Sequence, residues 1–262
     1  MTSPPACARR SRTSGERAAA SVAAVSLAST GLGVPAGAIR PYQTEASKPG
    51  KPDSAMVGTS GSRLERFALE TAIAEQGGNP QDTIVAGGNQ ACDPHDRGSG
   101  PLRPHELIII DIFPRVVKTG YFGDMTRTYL KGRPSEEQRK LVATVRKAQL
   151  AATKTIRAGV DGRAVHKACT DCFAAAGYIT KQTKDGAVGF IHGTGHGLGL
   201  AVHDPGRMSP AVSYPLKKGS VMTVEPGLYY PGLGGCRWED VVQVTATGTK
   251  PLSKYPYNWE IR

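Results

Sequence analysis

The residues best equipped for chemistry are carboxylates in the wrong company. Asp111 interrupts the apolar run "IIIDIF", where a charge is costly unless it is paired or bound to a metal. Asp124 stands in "YFGDMTRT", just ahead of a strand candidate; Glu225 lies in "MTVEPGL" and Glu239 in "RWEDVV". Taken singly, each reads as an edge-exposed or salt-bridged strand residue. Taken together with an imidazole they form a set of hard oxygen ligands and one nitrogen that suits Mn²⁺, Co²⁺, Fe²⁺ or Zn²⁺. Four carboxylates carry four negative charges, which two divalent cations neutralise and one does not. The set therefore favours a two-metal site, which activates a bridging water and clamps both sides of a reaction.

The imidazole comes from "GFIHGTGHGLGLAVHD", Gly189 to Asp204, which holds His192, His196 and His203. The first two have the HxxxH spacing of zinc-binding helices, but Gly193, Gly195, Gly197 and Gly199 make a helix there a poor choice. Glycines instead let a backbone turn sharply and approach a site closely.

These groups need elements to hold them. "LIIIDIF" (107–113) and "TRTYL" (126–130) have strand length and composition. "SVMTVEPGLYY" and "CRWEDVVQVT" flank a "PGLGG" turn and read as a hairpin, which brings Glu225 and Glu239 to one site. Between these β regions lies the clearest helix. Ser135 and Gln138 form a capping box, Leu141, Val145, Ala148, Ala152 and Ile156 follow at steps of three or four, and Gly159 ends it. A second helix is expected from Asp161 to Gly177, and an earlier one from Arg63, with Leu64, Phe67, Leu69 and Ile73 at helical spacing and Gly77 as the stop. Strands before and after two helices predict an α+β domain with an antiparallel sheet over residues 63–262. Residues 1–62 are rich in Ala, Ser, Gly and Pro and read as a low-complexity arm, helical only from Glu16 to Ser29.

Composition narrows the function classes. The net charge is +11, but no basic face interleaved with aromatics stands out, so a solvated surface is the better reading than nucleic-acid binding. No segment approaches the apolar length of a membrane span. There is no Walker loop, and no GxGxxG in a nucleotide-binding setting. Of the five cysteines, Cys7, Cys92 and Cys236 are isolated; Cys169 and Cys172 form a lone CxxC on a helical pattern, read as packing rather than a zinc site. A reducing, cytoplasmic compartment fits, against a weaker export reading of the Ala-rich segment near the N-terminus.

The stretches "DIFPRVVKTGYFGDMTRTY", "HGTGHGLGLAVHD" and "VEPGLYYPGLGGCRWEDVVQVT" resemble the dinuclear metallopeptidases of the pita-bread fold: methionine aminopeptidase, Xaa-Pro aminopeptidase and prolidase. The resemblance covers roughly residues 63–262 and implies a curved antiparallel sheet with helices packed on its outer face. It also implies that Asp111 is a bidentate ligand of one metal, that Asp124 and Glu239 bridge both, and that His196 and Glu225 hold the second, with Glu225 also the general base on the bridging water. His192 and His203 resemble histidines that hold substrate and stabilise a tetrahedral intermediate. His95, in "ACDPHDRGSG", matches a further histidine placed to bind substrate or shuttle protons, and Arg237 stands where the proline-directed branch carries an arginine, with a salt bridge to the excess carboxylates as its alternative. The implied activity is an aminopeptidase acting on Xaa-Pro peptides with two metals, Mn²⁺ foremost; the alternatives are methionine removal, a catalytically inactive peptide-binding module, and a metal-free C–N hydrolase of the creatinase type. A peptide is the expected partner, without nucleic acid or membrane, and the fold leaves room for a homodimer. Two departures stand out: the two aspartates are thirteen apart, with the extra residues in "PRVVKTGYFG", and the separate N-terminal domain of most relatives is absent.

Overall fold

The structure, a computed structural model, describes residues 61–261. The helix expected at Glu16–Ser29 and most of the low-complexity arm lie outside the described residues. In chain order the elements are α1 (Ser62–Glu75), β1 (Gly78–Asn79), β2 (Ile84–Gly87), a 3-10 turn (Gln90–Cys92), β3 (Leu107–Ile112), β4 (Arg115–Val116), β5 (Met125–Lys131), α2 (Glu136–Thr155) and α3 (Gly162–Ala175). The second half is strand alone: β6 (Lys181–Thr183), β7 (Gly186–Val188), β8 (Gly195–Gly197), β9 (Asp204–Met208), β10 (Val221–Val224), β11 (Gly227–Tyr230), β12 (Gly234–Arg237), β13 (Asp240–Val244), β14 (Thr249–Pro251) and β15 (Glu260–Ile261).

Two sheets carry the domain. One has the order β15-β5-β3-β2 and the other β14-β13-β10-β8-β9. Pairing is antiparallel throughout except where β15 joins β5 in parallel, Glu260 beside Leu130. The predicted α+β class with mainly antiparallel pairing therefore holds.

The capping box is present as expected: Ser135 accepts from Gln138 N, and the Gln138 side chain answers the Ser135 backbone. Leu141, Val145, Ala148, Ala152 and Ile156 are all fully buried, in one cluster with Val165, Cys169 and Phe173 of α3, with Met222, Val224 and Val242 of the second sheet, and with Trp238. Each buried Leu or Val of this stripe contributes about 1.5–3 kcal/mol. Cys169 is core packing, as its helical spacing suggested.

Three boundaries differ from expectation. α2 stops at Thr155, four residues ahead of Gly159, because Ile156 turns to an extended conformation (ψ 123°) to enter the core. α1 buries Ser62, Glu65, Leu69 and Ile73, while Leu64 and Phe67 face outward. The helix is rotated from the face its apolar residues suggest, because its polar Ser62 and Glu65 sit on the buried side. Each arm of the expected long hairpin is split in two: β10 pairs β13 and β11 pairs β12, with Glu225-Pro226 and Trp238-Glu239 in the gap between the two ladders.

Candidate metal centre

Strand pairing brings the carboxylates together. Asp111 pairs with Thr126 across β3 and β5, and Asp124 immediately precedes β5. The extra residues between the two aspartates leave that register intact. They form a side excursion in which β4 pairs with β1 and Arg115 bridges Phe122. Glu225 and Glu239 occupy the break between the two ladders, where their N–H groups donate instead to the carbonyls of Thr194 (2.8 Å) and Thr126 (3.1 Å). Gly195 and Gly197 flank His196 because a Cβ at either would fall within 2.3 Å of a neighbouring carbonyl, of Thr223 or of Pro205. The HxxxH segment is thus short strand and turn, with no helix.

All nine residues singled out from the sequence line one cavity of about 670 Å³: His95, Asp111, Asp124, His192, His196, His203, Glu225, Arg237 and Glu239. Ligand atoms of Asp124, His196 and Glu239 lie within 4.8 Å of one another. His196 Nε2 is 3.2 Å from Glu225 Oε1 and 3.8 Å from Asp124 Oδ2. Supporting bonds fix these groups. Thr126 Oγ1 donates to Glu239 Oε2 (2.7 Å), and Thr223 Oγ1 donates to Glu225 Oε1 (3.2 Å) while accepting from His196 N (3.0 Å). Arg237 Nη2 donates to Asp111 Oδ2 at 2.7 Å, so the expected salt bridge to the acidic set is present.

The carboxylates and the imidazole shift one another's titration. Burial raises Asp111, opposed by Arg237. Burial, then the charge of Asp111, hold Asp124 well above the usual carboxylate range. Burial, then Asp124, Glu225 and Asp111, do the same to Glu239. Burial works against His196 as well, but the bond and charge of Glu225 outweigh it and lift the imidazole to about 9; the same contact overcomes burial to hold Glu225 at about 2. His196 Nδ1 faces the Gly197 carbonyl at 3.0 Å, and a carbonyl only accepts, so Nδ1 carries hydrogen. Nε2 therefore points at two carboxylates with a lone pair unless a proton or a cation stands between them. Asp111 Oδ1 is buried without a hydrogen-bond partner. Arg237 and a protonated His196 supply two positive charges against Asp111, Asp124, Glu225 and Glu239; divalent cations would complete the balance, and this donor set of carboxylate oxygens and one imidazole nitrogen fits them.

The rim is built differently. His95 and His203 are exposed residues of loops, and the His203 ring meets His196 edge-on, centroids 4.4 Å apart. Burial, then the positive charge of His196, lower His203. His192 is tied into the cavity wall. Its Nδ1 is 2.7 Å from the Gly193 carbonyl, and its Nε2 is 2.7 Å from the Tyr229 hydroxyl, which in turn accepts from Arg237 Nη1 at 2.9 Å. Both ring nitrogens are engaged, and burial lowers the ring to about 4, so it is neutral near pH 7.

Three side chains enter that the sequence reading passed over. Tyr229 links Arg237 to His192, Thr126 links Arg237 Nε to Glu239, and Arg207 lines the cavity directly across the β8–β9 ladder from His196. Two sequence signals were available. Arg207 stands four residues beyond His203, and Tyr229 alternates with Gly227 in the strand that follows Glu225.

Comparison with known proteins agrees with this geometry. The family model "Metallopeptidase family M24" matches residues 17–246. The Xaa-Pro dipeptidase of Pyrococcus furiosus is 35% identical over 174 residues, 66% of this chain and 47% of that protein. The probable dipeptidase PepE of Mycobacterium bovis is 34% identical over 189 residues, 72% of this chain and 48% of that protein. Among solved structures, an Xaa-Pro dipeptidase from Bacillus anthracis superposes with a TM-score of 0.73 at 26% identity, covering 95% of this chain and 63% of the other. An X-Pro aminopeptidase from Thermotoga maritima gives 0.70 at 29%, covering 78% and 56%. The chain spans about half the length of the curated relatives it matches. Family match, pita-bread architecture and a buried carboxylate–imidazole cluster converge: the chain belongs to metallopeptidase family M24.

Proposed function

We propose that this protein is a metal-dependent peptidase that cleaves the bond between an N-terminal residue and a following proline, with dipeptides as its preferred substrates. The relatives named above are mostly dipeptidases, which favours that name over the aminopeptidase expected from sequence. The single observation that carries the dipeptide preference is Arg207. Its Nη1 is held by the carbonyls of Asp204 (2.9 Å) and Gly206 (2.7 Å), and it shares a sheet face with His196 at the cavity wall. An anchored guanidinium there is suited to a free C-terminal carboxylate, which in a dipeptide lies one residue from the scissile bond.

Asp111, Asp124, His196, Glu225 and Glu239 would hold two divalent cations, Mn²⁺ as first choice over Co²⁺, Zn²⁺ or Fe²⁺. Such ions supply Lewis acidity toward a carbonyl and make water a competent nucleophile. Glu225, its oxygen kept in line by Thr223, would serve as the base toward an attacking water. His203, neutral and at the rim, is the donor placed to meet charge developing on the scissile carbonyl oxygen. His95 lies on the same wall and serves substrate binding. Arg237 holds Asp111 and, through Tyr229, keeps His192 a neutral acceptor. The bond before proline carries no N–H, so the site needs no acceptor for one.

The test is kcat/KM with added Mn²⁺ for Xaa-Pro dipeptides, Xaa-Pro tripeptides and Met-Ala-Ser. Dipeptides cleaved fastest support the reading. Faster cleavage of the tripeptides restores the aminopeptidase reading, and faster cleavage of Met-Ala-Ser restores methionine removal.

A further inference from the structure

Glu239 sits where the strand ladder is interrupted, and its backbone is held by one main-chain bond and one side chain. Its N–H donates to the Thr126 carbonyl at 3.1 Å, and its own carbonyl accepts from Arg127 Nη1 at 2.6 Å. The same Nη1 is 2.9 Å from the Thr126 carbonyl, so one guanidinium nitrogen grips both segments. Arg127 is fully buried. Its Nη2 donates to Asp240 Oδ1 at 2.9 Å and to the Tyr255 carbonyl at 3.2 Å. Asp240, the residue after Glu239, is saturated: Ser253 Oγ also donates to Oδ1 (2.9 Å), and Gln149 Nε2 (3.0 Å) and the Tyr257 hydroxyl (2.6 Å) donate to Oδ2. Gln149 Nε2 also reaches the carbonyl of Val224, the residue before Glu225, at 3.1 Å. The Tyr257 ring lies between two guanidiniums, Arg127 at 4.7 Å and Arg146 at 3.4 Å from its centroid. Four segments thus converge on the backbone flanking Glu239 and Glu225, with Ser253, Tyr255 and Tyr257 of the C-terminal stretch among them.

We propose that Arg127 and Asp240 are a positioning pair for Glu239, clamped by the C-terminal segment, so that residues outside the cavity lining help set how tightly its carboxylates hold divalent cations. The proposal rests on the reading of Glu239 as a metal ligand. Neither residue lines the cavity. Their action is on the main chain at 239, and a carboxylate displaced by a fraction of an ångström loses the geometry a bridging ligand needs.

The experiment titrates Mn²⁺ into metal-free full-length protein, following free Mn²⁺ by its EPR signal, for the wild type, Asp240→Asn, Arg127→Lys and Tyr257→Phe. Denaturant midpoints are measured alongside to confirm that the titrated protein is folded. Asp240→Asn keeps the shape and removes the charge, whereas Lys at 127 keeps the charge and loses the fork. Both are expected to weaken Mn²⁺ binding by roughly ten- to a hundredfold in folded protein. Tyr257→Phe keeps the ring between the guanidiniums and removes one bond, for a smaller, severalfold loss. A purely structural pair would lower the denaturation midpoint and leave the Mn²⁺ affinity of folded protein at the wild-type value; that result in Asp240→Asn overturns the proposal. If Asp240→Asn does not fold, Tyr257→Phe decides, and wild-type affinity in it overturns the proposal likewise. A wild type that takes up no Mn²⁺ removes the ligand reading and the proposal with it; a wild type that binds while the variants match it removes the proposal alone.

Discussion

The floor and the rim of the cavity are built on opposite principles. The floor carboxylates, Asp111, Asp124 and Glu239, are buried and stand on or beside paired strands; Arg237 holds Asp111 and Thr126 holds Glu239, each at 2.7 Å, and Asp124 faces His196 Nε2 at 3.8 Å. As carboxylates they repel one another in a dry place, which favours either a bound proton or a cation among them. The rim residues His95, His203 and Arg207 are exposed, and two of them sit in loops. The floor is tied together by buried bonds, whereas the rim side chains face solvent. Damage to the floor is therefore expected to abolish chemistry and metal uptake together, and damage to the rim to separate rate from binding.

The largest effect is expected on the floor. Glu239→Ala should lower kcat/KM by about three orders of magnitude or more, the scale on which losing a central catalytic element acts. Turnover near the wild-type level, measured with saturating Mn²⁺, would place the metal elsewhere. At the rim, His203→Ala removes a donor to developing charge and should lower kcat by roughly a hundred- to a thousandfold while metal content stays near normal. Metal loss in that variant would move His203 into the floor. Arg207→Met removes a charge-assisted contact worth about 1.5–3 kcal/mol, so KM for dipeptides should rise roughly ten- to a hundredfold. Amide-capped Xaa-Pro substrates should hardly notice; an equal rise for them would deny Arg207 its carboxylate.

A fourth expectation uses the titration of the floor. In metal-free protein His196 is raised to about 9 from an ordinary value of 6.5, and Asp124 and Glu239 are raised as well. Groups with raised folded-state pKa values add stability that is complete below their unfolded values and fades as pH rises toward the folded ones. Metal must displace those protons, so the Tm gain from Mn²⁺ should be small at pH 5.5 and grow steadily to pH 8. A gain independent of pH would mean that the ions bind at groups not protonated in the metal-free state. The smallest effect belongs outside both regions: Cys169→Ala should cost about 1 kcal/mol of stability and leave metal content unchanged. Loss of metal would revive the CxxC pair as a site.

The same contrast governs what could be read in advance. The floor was legible because a carboxylate inside "IIIDIF" or "MTVEPGL" defies burial, and such a conflict needs a physical remedy. The capping box and the stripe from Leu141 to Ile156 were legible because local rules and the core agree there. α1 misled because it buries Glu65 and exposes Phe67, a choice set by what lies against the helix. The split at Glu225 and Glu239 was hidden because both arms keep strand composition across the break. Arg207 and Tyr229 were missed because their roles arise from partners eleven residues away across a ladder and eight residues away across a hairpin.

The most direct test of the floor as a two-ion site is the stoichiometry of Mn²⁺ uptake at equilibrium dialysis, measured on wild type and Glu239→Ala side by side at pH 7.5. The account predicts two ions per chain in the wild type and one or fewer in the variant. No uptake by the wild type, or two ions retained by Glu239→Ala, would contradict it.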